Sequence, residues 1–147
     1  MRPPRLGLVL ACAVSVTVAV APPARASDGA NRAFVGDTNN ARVDHDLHSY
    51  RVCSDLTSIA QRWAEWMAQH HTMRHNPYLT SQVPNWQSVG ENVGRGPGEP
   101  QIQHAFMGDT YHRDNILSSD FTQVGIGTAR SNDGRLYVDE VFRHPQN

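Results

Sequence analysis

The 147-residue sequence predicts an α+β domain in which helices flank an antiparallel sheet. Near the carboxyl terminus, the runs TQVGIGTAR and RLYVDEVF surround the turn signal SNDG, and this pattern predicts a β-hairpin. In the middle of the chain, apolar residues recur at three- and four-residue spacing, which predicts an amphipathic core helix. The apolar stripe consists of Leu56, Ile59, Ala60, Trp63 and Met67.

Local signals place the helices along the first half of the chain. An amphipathic helix is predicted near residues 29–42. The core helix is predicted to begin with Ser54 as its N-cap and to end before Asn76-Pro77, because proline cannot continue a helix.

The second half of the chain combines loop, helix and hairpin signals. Residues 80–97 are rich in Ser, Asn, Gly and Pro and are predicted to form a loop. A second amphipathic helix is predicted from Glu99 to about Asp109, with a proline in its first turn. Gly125 and Gly127 share one face of the first hairpin strand, which predicts that a helix or loop packs closely against them.

The first 26 residues have the organisation of a secretory signal peptide. Arg2 and Arg5 precede an apolar run from Leu6 to Ala21, and Ala24-Arg25-Ala26 is a cleavage signal. A membrane anchor is the alternative, but the run is shorter than the ~20 apolar residues that a span needs. We therefore predict cleavage after Ala26, a single domain over residues 27–147, and a secreted, extracellular protein with no stable membrane span.

Charge and cysteine content exclude some classes of function. Without the predicted signal peptide, 121 residues remain, with 10 basic and 14 acidic side chains and a formal charge of −4. A nucleic-acid partner is not expected, because the chain has no basic stripe. Cys12 would serve a lipoprotein signal, an alternative that leaves only a short apolar stretch before it. Cys53 is then the single cysteine. We interpret it as a small buried residue in preference to a nucleophile. If its thiol is exposed, it could also form a disulfide-linked dimer.

Several polar side chains are candidates for one shared site, namely His75, Glu91, Asp109, His112 and Glu140. Two imidazoles and a carboxylate can bind Zn²⁺ and leave a position open for water, whose proton Glu91 or Asp109 could accept as a catalytic base. The spacing does not match a zinc-protease helix motif, however, and each histidine taken alone is more often a surface or hydrogen-bonded core residue than a metal ligand. No nucleotide-binding loop or serine-hydrolase elbow is recognisable either.

An ordered set of motifs resembles the CAP superfamily, which includes cysteine-rich secretory proteins, insect venom antigen 5 and plant pathogenesis-related class 1 proteins. Its compact bacterial branch is the nearest match, and the resemblance covers about Asn31 to Phe142. The motifs are MRHNPYL, WQSVGENVGRG, AFMGDTYHRDNIL, FTQVGIGTA and LYVDEVF.

The resemblance implies a three-layer α-β-α sandwich with an antiparallel central sheet. It also implies a cleft lined by His75, Glu91, Asp109 and His112, with His75 and His112 as the metal ligands of any zinc or other divalent ion. Asn92 is expected to hold the neighbouring loop by side-chain to backbone hydrogen bonds. The family's disulfides are absent, and Glu140 is interpreted as an exposed strand residue in preference to a further cleft acid.

Three functions are compatible with these residues. The first is a secreted binding module whose cleft holds a divalent metal or a small or lipidic ligand, without turnover. The second is a zinc-dependent, peptidase-like hydrolase that uses the same cleft. The third is a protein that binds a cell-envelope or host partner through a surface loop, for which the sequence has no distinguishing feature.

Overall fold

A computed structural model describes residues 28–146, which form a four-stranded sheet between two layers of helices. The predicted signal peptide lies outside the described residues. The elements are α1 (Asp28–Val43), β1 (Arg51–Val52), α2 (Ser54–Gln69), α3 (Leu79–Gln82), β2 (Trp86–Gly96), α4 (Glu99–Gly108), α5 (Thr110–Ile116), β3 (Gln123–Arg130) and β4 (Leu136–Pro145).

The three helices predicted from apolar periodicity are present as α1, α2 and α4. The stripe on α2 is buried, as its spacing requires. The prediction that Ser54 caps this helix is wrong by one residue, because Cys53 is in the N-cap position and Ser54 is the first helical residue. The Cys53 thiol is free and buried, so the interpretation of this residue as a small buried side chain is confirmed.

The carboxyl-terminal hairpin is confirmed, and β3 pairs with β4 in antiparallel register from Gln123↔Arg143 to Arg130↔Leu136. Gly134 closes the turn with a φ of 83°, a conformation that favours glycine. The predicted close approach at Gly125 and Gly127 is also confirmed. A Cβ atom on Gly127 would lie 2.1 Å from the backbone nitrogen of Gln61, so α2 packs directly on the β3 backbone.

The prediction of a loop over residues 80–97 is wrong. The segment contains the short helix α3 and then β2, which pairs antiparallel with β4 from Trp86↔Pro145 to Gly96↔Leu136. Its glycines serve close packing in a strand, because a Cβ atom on Gly94 would lie 2.6 Å from Ile102. Tertiary contacts therefore override the turn-like composition.

The sheet is mixed, so the prediction of a purely antiparallel sheet is wrong in this detail. Its strand order is β1-β3-β4-β2, and the two-residue strand β1 pairs in parallel with β3. A strand this short has no periodicity from which it could be predicted. The order also places β2 at one edge of the sheet, opposite β1.

The core is divided between the two faces of the sheet. One face packs against α2, in clusters that include Leu56, Trp63 and Val93. The other face packs against α1, α4 and α5, in a cluster that includes Phe34 and Phe142. Among residues 28–146, no helix is long and apolar enough to cross a bilayer.

Candidate functional site

Strand β2 positions the candidate residues, because successive side chains of a strand point to opposite faces of a sheet. Val93 packs in the cluster beside α2, and Glu91, two residues earlier, faces the same layer. Asn92 lies between them and faces the layer of α1, α4 and α5, where it contacts Glu140 and His112.

Glu91 and His75 form a close pair on the α2 side. His75 Nδ1 lies 2.6 Å from Glu91 Oε2, and the backbone N–H of Asn76 donates to both carboxylate oxygens at 3.2 and 3.1 Å. Glu91 is only 8% exposed, whereas the His75 side chain is 68% exposed. Burial raises the pKa of Glu91, although the hydrogen bonds from His75 and Asn76 act in the opposite direction.

Asp109 and His112 form a second pair at the start of α5. The Asp109 carboxylate caps this helix by accepting the backbone N–H groups of Tyr111 and His112 at 3.0 and 3.2 Å. It also lies 2.8 Å from His112 Nδ1. The backbone N–H and the ring of His112 hold the pKa of Asp109 below its ordinary value. The His112 ring stacks on Phe106, with centroids 4.8 Å apart.

Two asparagines connect the pairs through β2. Asn115 donates to the Glu91 carbonyl at 3.2 Å and to Asn92 Oδ1 at 2.9 Å. Asn92 in turn donates to the His112 carbonyl at 3.1 Å. Asn92 therefore makes a side-chain to backbone hydrogen bond, as predicted, but it connects β2 to α5 and does not hold a loop. The backbone of the helix that carries His112 is thus tied to the strand that carries Glu91.

The interpretation of Glu140 as an exposed strand residue is wrong. Glu140 is fully buried, and it accepts hydrogen bonds from Thr38 Oγ1 at 3.1 Å and from Asn92 Nδ2 at 3.0 Å. Burial raises the pKa of Glu140 to about 7, against the opposing effect of these two donors. Sequence reasoning missed this environment because a hairpin strand is commonly exposed on one face, whereas helices cover both faces here.

A cavity of about 350 Å³ lies along β2, beside α4 and α5. Asp109 and His112 belong to its wall, together with apolar side chains of α4 and the segment after α2. Glu91 and His75 are outside this wall and form their own pair. The lining residues are Met73, Val93, Gly94, Arg95, Gly96, Pro97, Gln101, Ile102, Ala105, Phe106, Asp109 and His112.

The four predicted cleft residues are thus arranged as two carboxylate–imidazole pairs. A carboxylate can only accept a hydrogen bond, so in each pair Nδ1 of the histidine carries the hydrogen, and in a neutral imidazole this leaves Nε2 as the acceptor. Within the part of the chain that the structure describes, no three His, Cys, Asp or Glu side chains are grouped so as to hold a metal ion.

Residues 35–142 match the cysteine-rich secretory protein family, abbreviated CAP, and this match spans most of the chain. The chain belongs to the CAP family. Both predictions from the motif resemblance, the CAP family and the α-β-α architecture, are therefore confirmed.

Relatives of the chain include bacterial proteins. An uncharacterised Bacillus subtilis protein, YkwD, is 24% identical over 120 residues, which cover 71% of this chain but only 44% of YkwD. The solved structure of an outer surface protein from Borrelia burgdorferi matches 84% of this chain and 99% of its own, with a TM-score of 0.76 and 11% identity. NaASP2, solved with Zn²⁺, matches 79% of this chain and 80% of its own, with a TM-score of 0.62 and 13% identity. The two structural likenesses show the fold alone.

Proposed function

We propose that this CAP domain binds a small, mainly apolar ligand in the cavity along β2. The observation that carries the proposal is the wall of the cavity, which consists largely of apolar residues, including Met73, Ile102, Ala105 and Phe106. A volume of about 350 Å³ is within the range of small-molecule sites, which are mostly apolar with a few polar groups that orient the ligand.

Polar groups at the cavity indicate that the ligand also has a polar end. In a neutral imidazole His112 presents Nε2 as an acceptor, since its Nδ1 is engaged by Asp109, and Arg95, an exposed lining residue, has a guanidinium group that can donate hydrogen bonds. The proposed ligand therefore has an apolar body and one polar end with a hydroxyl or an acidic group. Small or lipidic amphipathic molecules meet this description.

Filling the cavity tests the proposal. Ala105 lies in the wall, and the neighbouring His104 is exposed and outside it, so Ala105→Trp and His104→Trp are a matched pair. We expect Ala105→Trp to weaken binding of a fluorescent fatty-acid probe by at least about tenfold, or roughly 1.4 kcal/mol, and His104→Trp to leave it unchanged. Equal binding by both variants, or no binding by the unmodified protein, would reject the cavity as the site.

A divalent metal is a second candidate ligand, supported by the two carboxylate–imidazole pairs. Metal-binding histidines commonly donate their second ring N–H to a carboxylate, as His75 and His112 do to Glu91 and Asp109. Histidine nitrogen suits zinc, and His75 and His112 would hold the ion through Nε2, with water completing the coordination. NaASP2, which shares the fold, was solved with Zn²⁺.

Zinc titration of the purified domain tests this second candidate. One bound ion per chain is expected, with a loss of binding in His75→Ala and in His112→Ala and no change in the control His104→Ala. Binding that survives both substitutions would remove the two imidazoles from any metal site.

The hydrolase alternative is less well supported by the geometry. It requires Glu91 or Asp109 to accept a proton from water, yet each carboxylate is already occupied by an imidazole and by backbone N–H groups. The lowered pKa of Asp109 also makes it a weaker base. An assay with peptide and ester substrates would reverse this ranking if Glu91→Gln abolished a measured turnover.

Export from the cell is proposed together with ligand binding. The amino-terminal segment has the signal-peptide pattern, and the related Borrelia burgdorferi protein is an outer surface protein. Mass spectrometry of the protein recovered from the culture medium should give a first residue of Ser27. An intact amino terminus in the cell pellet would contradict the proposal.

A further inference from the structure

Asp139 lies next to Glu91 on the α2 side of the sheet. Its strand, β4, lies between β3 and β2, and Asp139 is opposite Gly127 on one side and Val93 on the other. Paired residues of antiparallel strands point to the same face, and a Cβ atom on Gly127 would meet α2. Glu91 is opposite Val141, so it is the diagonal neighbour of Asp139 on this face.

The environment of Asp139 requires a neutral side chain. Asp139 is fully buried, and no N–H or O–H donor of the described residues forms a hydrogen bond with either carboxyl oxygen. An ionised carboxylate in such a place would lose its hydration without compensation. Burial therefore raises the pKa of Asp139 well above its ordinary value, and the charges of Glu91 and Glu140 add to the effect.

Glu91 and Asp139 interact, and adjacent carboxyl groups in a buried site do not both ionise readily. Glu91 has the better environment for the negative charge, because His75 and the backbone N–H of Asn76 donate to it. Asp139 has neither donor. The proton shared by this pair therefore belongs on Asp139, and a neutral carboxylic acid has one O–H group to donate.

We propose that Asp139 is a positioning residue, which donates its O–H to Glu91 and so holds the Glu91 carboxylate in the orientation that accepts the Nδ1–H of His75. The imidazole is then fixed with Nε2 toward solvent. The inference rests on the proposed role of His75 in the site, but it concerns the ligand-free protein.

The protonation state of Asp139 can be measured directly in the unmodified chain. Carboxyl ¹³C NMR of the full domain, assigned with Asp139→Asn, should show a protonated Asp139 at pH 7. The exposed residue Asp44 provides a control, because Asp44→Asn should remove a different resonance and leave that of Asp139 in place. An ionised Asp139 at pH 7 would overturn the inference by itself, without measurements on any further variant.

The effect on His75 requires two substitutions. Asp139→Asn keeps an N–H donor, and ¹⁵N NMR of the His75 ring at pH 8 should still show the Nδ1–H tautomer. Asp139→Val removes the donor, and we expect the ratio of the Nδ1–H to the Nε2–H tautomer to fall by about threefold or more, since hydrogen bonds to charged groups commonly correspond to about tenfold in an equilibrium constant. Asp44→Asn should leave the ratio unchanged.

The possible results separate positioning from a purely structural role. A folded Asp139→Val protein with an unchanged His75 tautomer would overturn the proposal, as would loss of the Nδ1–H tautomer in Asp139→Asn. If Asp139→Val does not fold, Glu91→Gln replaces it, because exchanging the charged carboxylate for a neutral amide should shift the Asp139 carboxyl resonance, and an unshifted resonance would overturn the proposed pair. None of these measurements uses a ligand, so failure of the proposed ligand binding would leave them unaffected.

Discussion

Replacing Glu140 with glutamine should stabilise the protein above neutral pH. The unfolded carboxyl group titrates near 4.5, whereas burial raises the pKa of Glu140 to about 7 in the folded chain. Below 4.5 both states bind the proton, and the group has no effect on stability. Between 4.5 and 7 the unfolded state has lost its proton and the folded state has kept it, so stability falls as the pH rises, and above 7 the loss is complete.

The size of this effect follows from the two pKa values. A difference between 4.5 and about 7 corresponds to roughly 3 kcal/mol at 1.36 kcal/mol per pKa unit. Glutamine has nearly the same shape and no charge. Its amide oxygen can accept from Asn92, and its N–H can donate to Thr38 Oγ1, so both existing contacts have a counterpart.

Urea unfolding between pH 5 and pH 8.5 measures the difference. We expect Glu140→Gln to exceed the free energy of unfolding of the unmodified protein by less than about 1 kcal/mol near pH 5 and by about 2–3 kcal/mol at pH 8. Asp44→Asn, an exposed substitution, should follow the unmodified protein throughout. A Glu140→Gln protein that is less stable at pH 8, or that keeps the full pH dependence, would refute the argument that burial costs the charged form.

Three further substitutions test the packing and the hydrogen bonds around the site. Gly127→Ala should destabilise the fold by about 2–3 kcal/mol or more, because the new Cβ atom would lie 2.1 Å from the Gln61 backbone. As a control in the same urea assay, the Cβ atom of Gly36→Ala would meet no atom within 4 Å, and this substitution should stabilise helix α1 by about 0.5–1 kcal/mol. Equal stabilities would contradict the direct packing of α2 on β3. Asn92→Ala leaves Glu140 with one fewer hydrogen-bond donor and should lower the free energy of unfolding by about 1–3 kcal/mol. Because Asn92 also bonds the His112 carbonyl, we expect the NMR signal of the His112 amide to broaden. Unchanged stability and unchanged spectra would show that the Asn92 hydrogen bonds neither stabilise the fold nor hold α5 against β2.

The helices and the hairpin were predictable because each has a strong local pattern. The buried stripe of α2 repeats at helical spacing over more than three turns, and the SNDG turn is closed by Gly134 with positive φ. Strand β2 lacks such a pattern. Its strand propensity is weakened by Gly90, Gly94 and Gly96. Glycine is needed at these positions because Phe121 and Ile102 pack closely against the strand, and contacts of this kind are not visible in a short stretch of sequence.

The candidate site was predictable in its members but not in its connections. The motif resemblance named His75, Glu91, Asp109 and His112. The pairing of His75 with Glu91 depends on the path of the chain after α2, and the burial of Asp139 depends on both faces of the sheet being covered. Neither is a property of neighbouring residues in the sequence.

Strand β2 couples the cavity to both imidazoles. Glu91 and Asn92 are successive residues, one bonded to His75 and the other to the carbonyl of His112, so a small shift of this strand moves both connections at once. The same strand contacts α4 through Gly94, whose absent side chain leaves room for Ile102 in the cavity wall. A ligand that displaces Ile102 therefore acts on β2, and we expect its binding to perturb the NMR signals of the His75 ring, which is outside the cavity wall, as well as those of His112. Saturating ligand that changes the His112 signals alone would show that the two pairs respond independently.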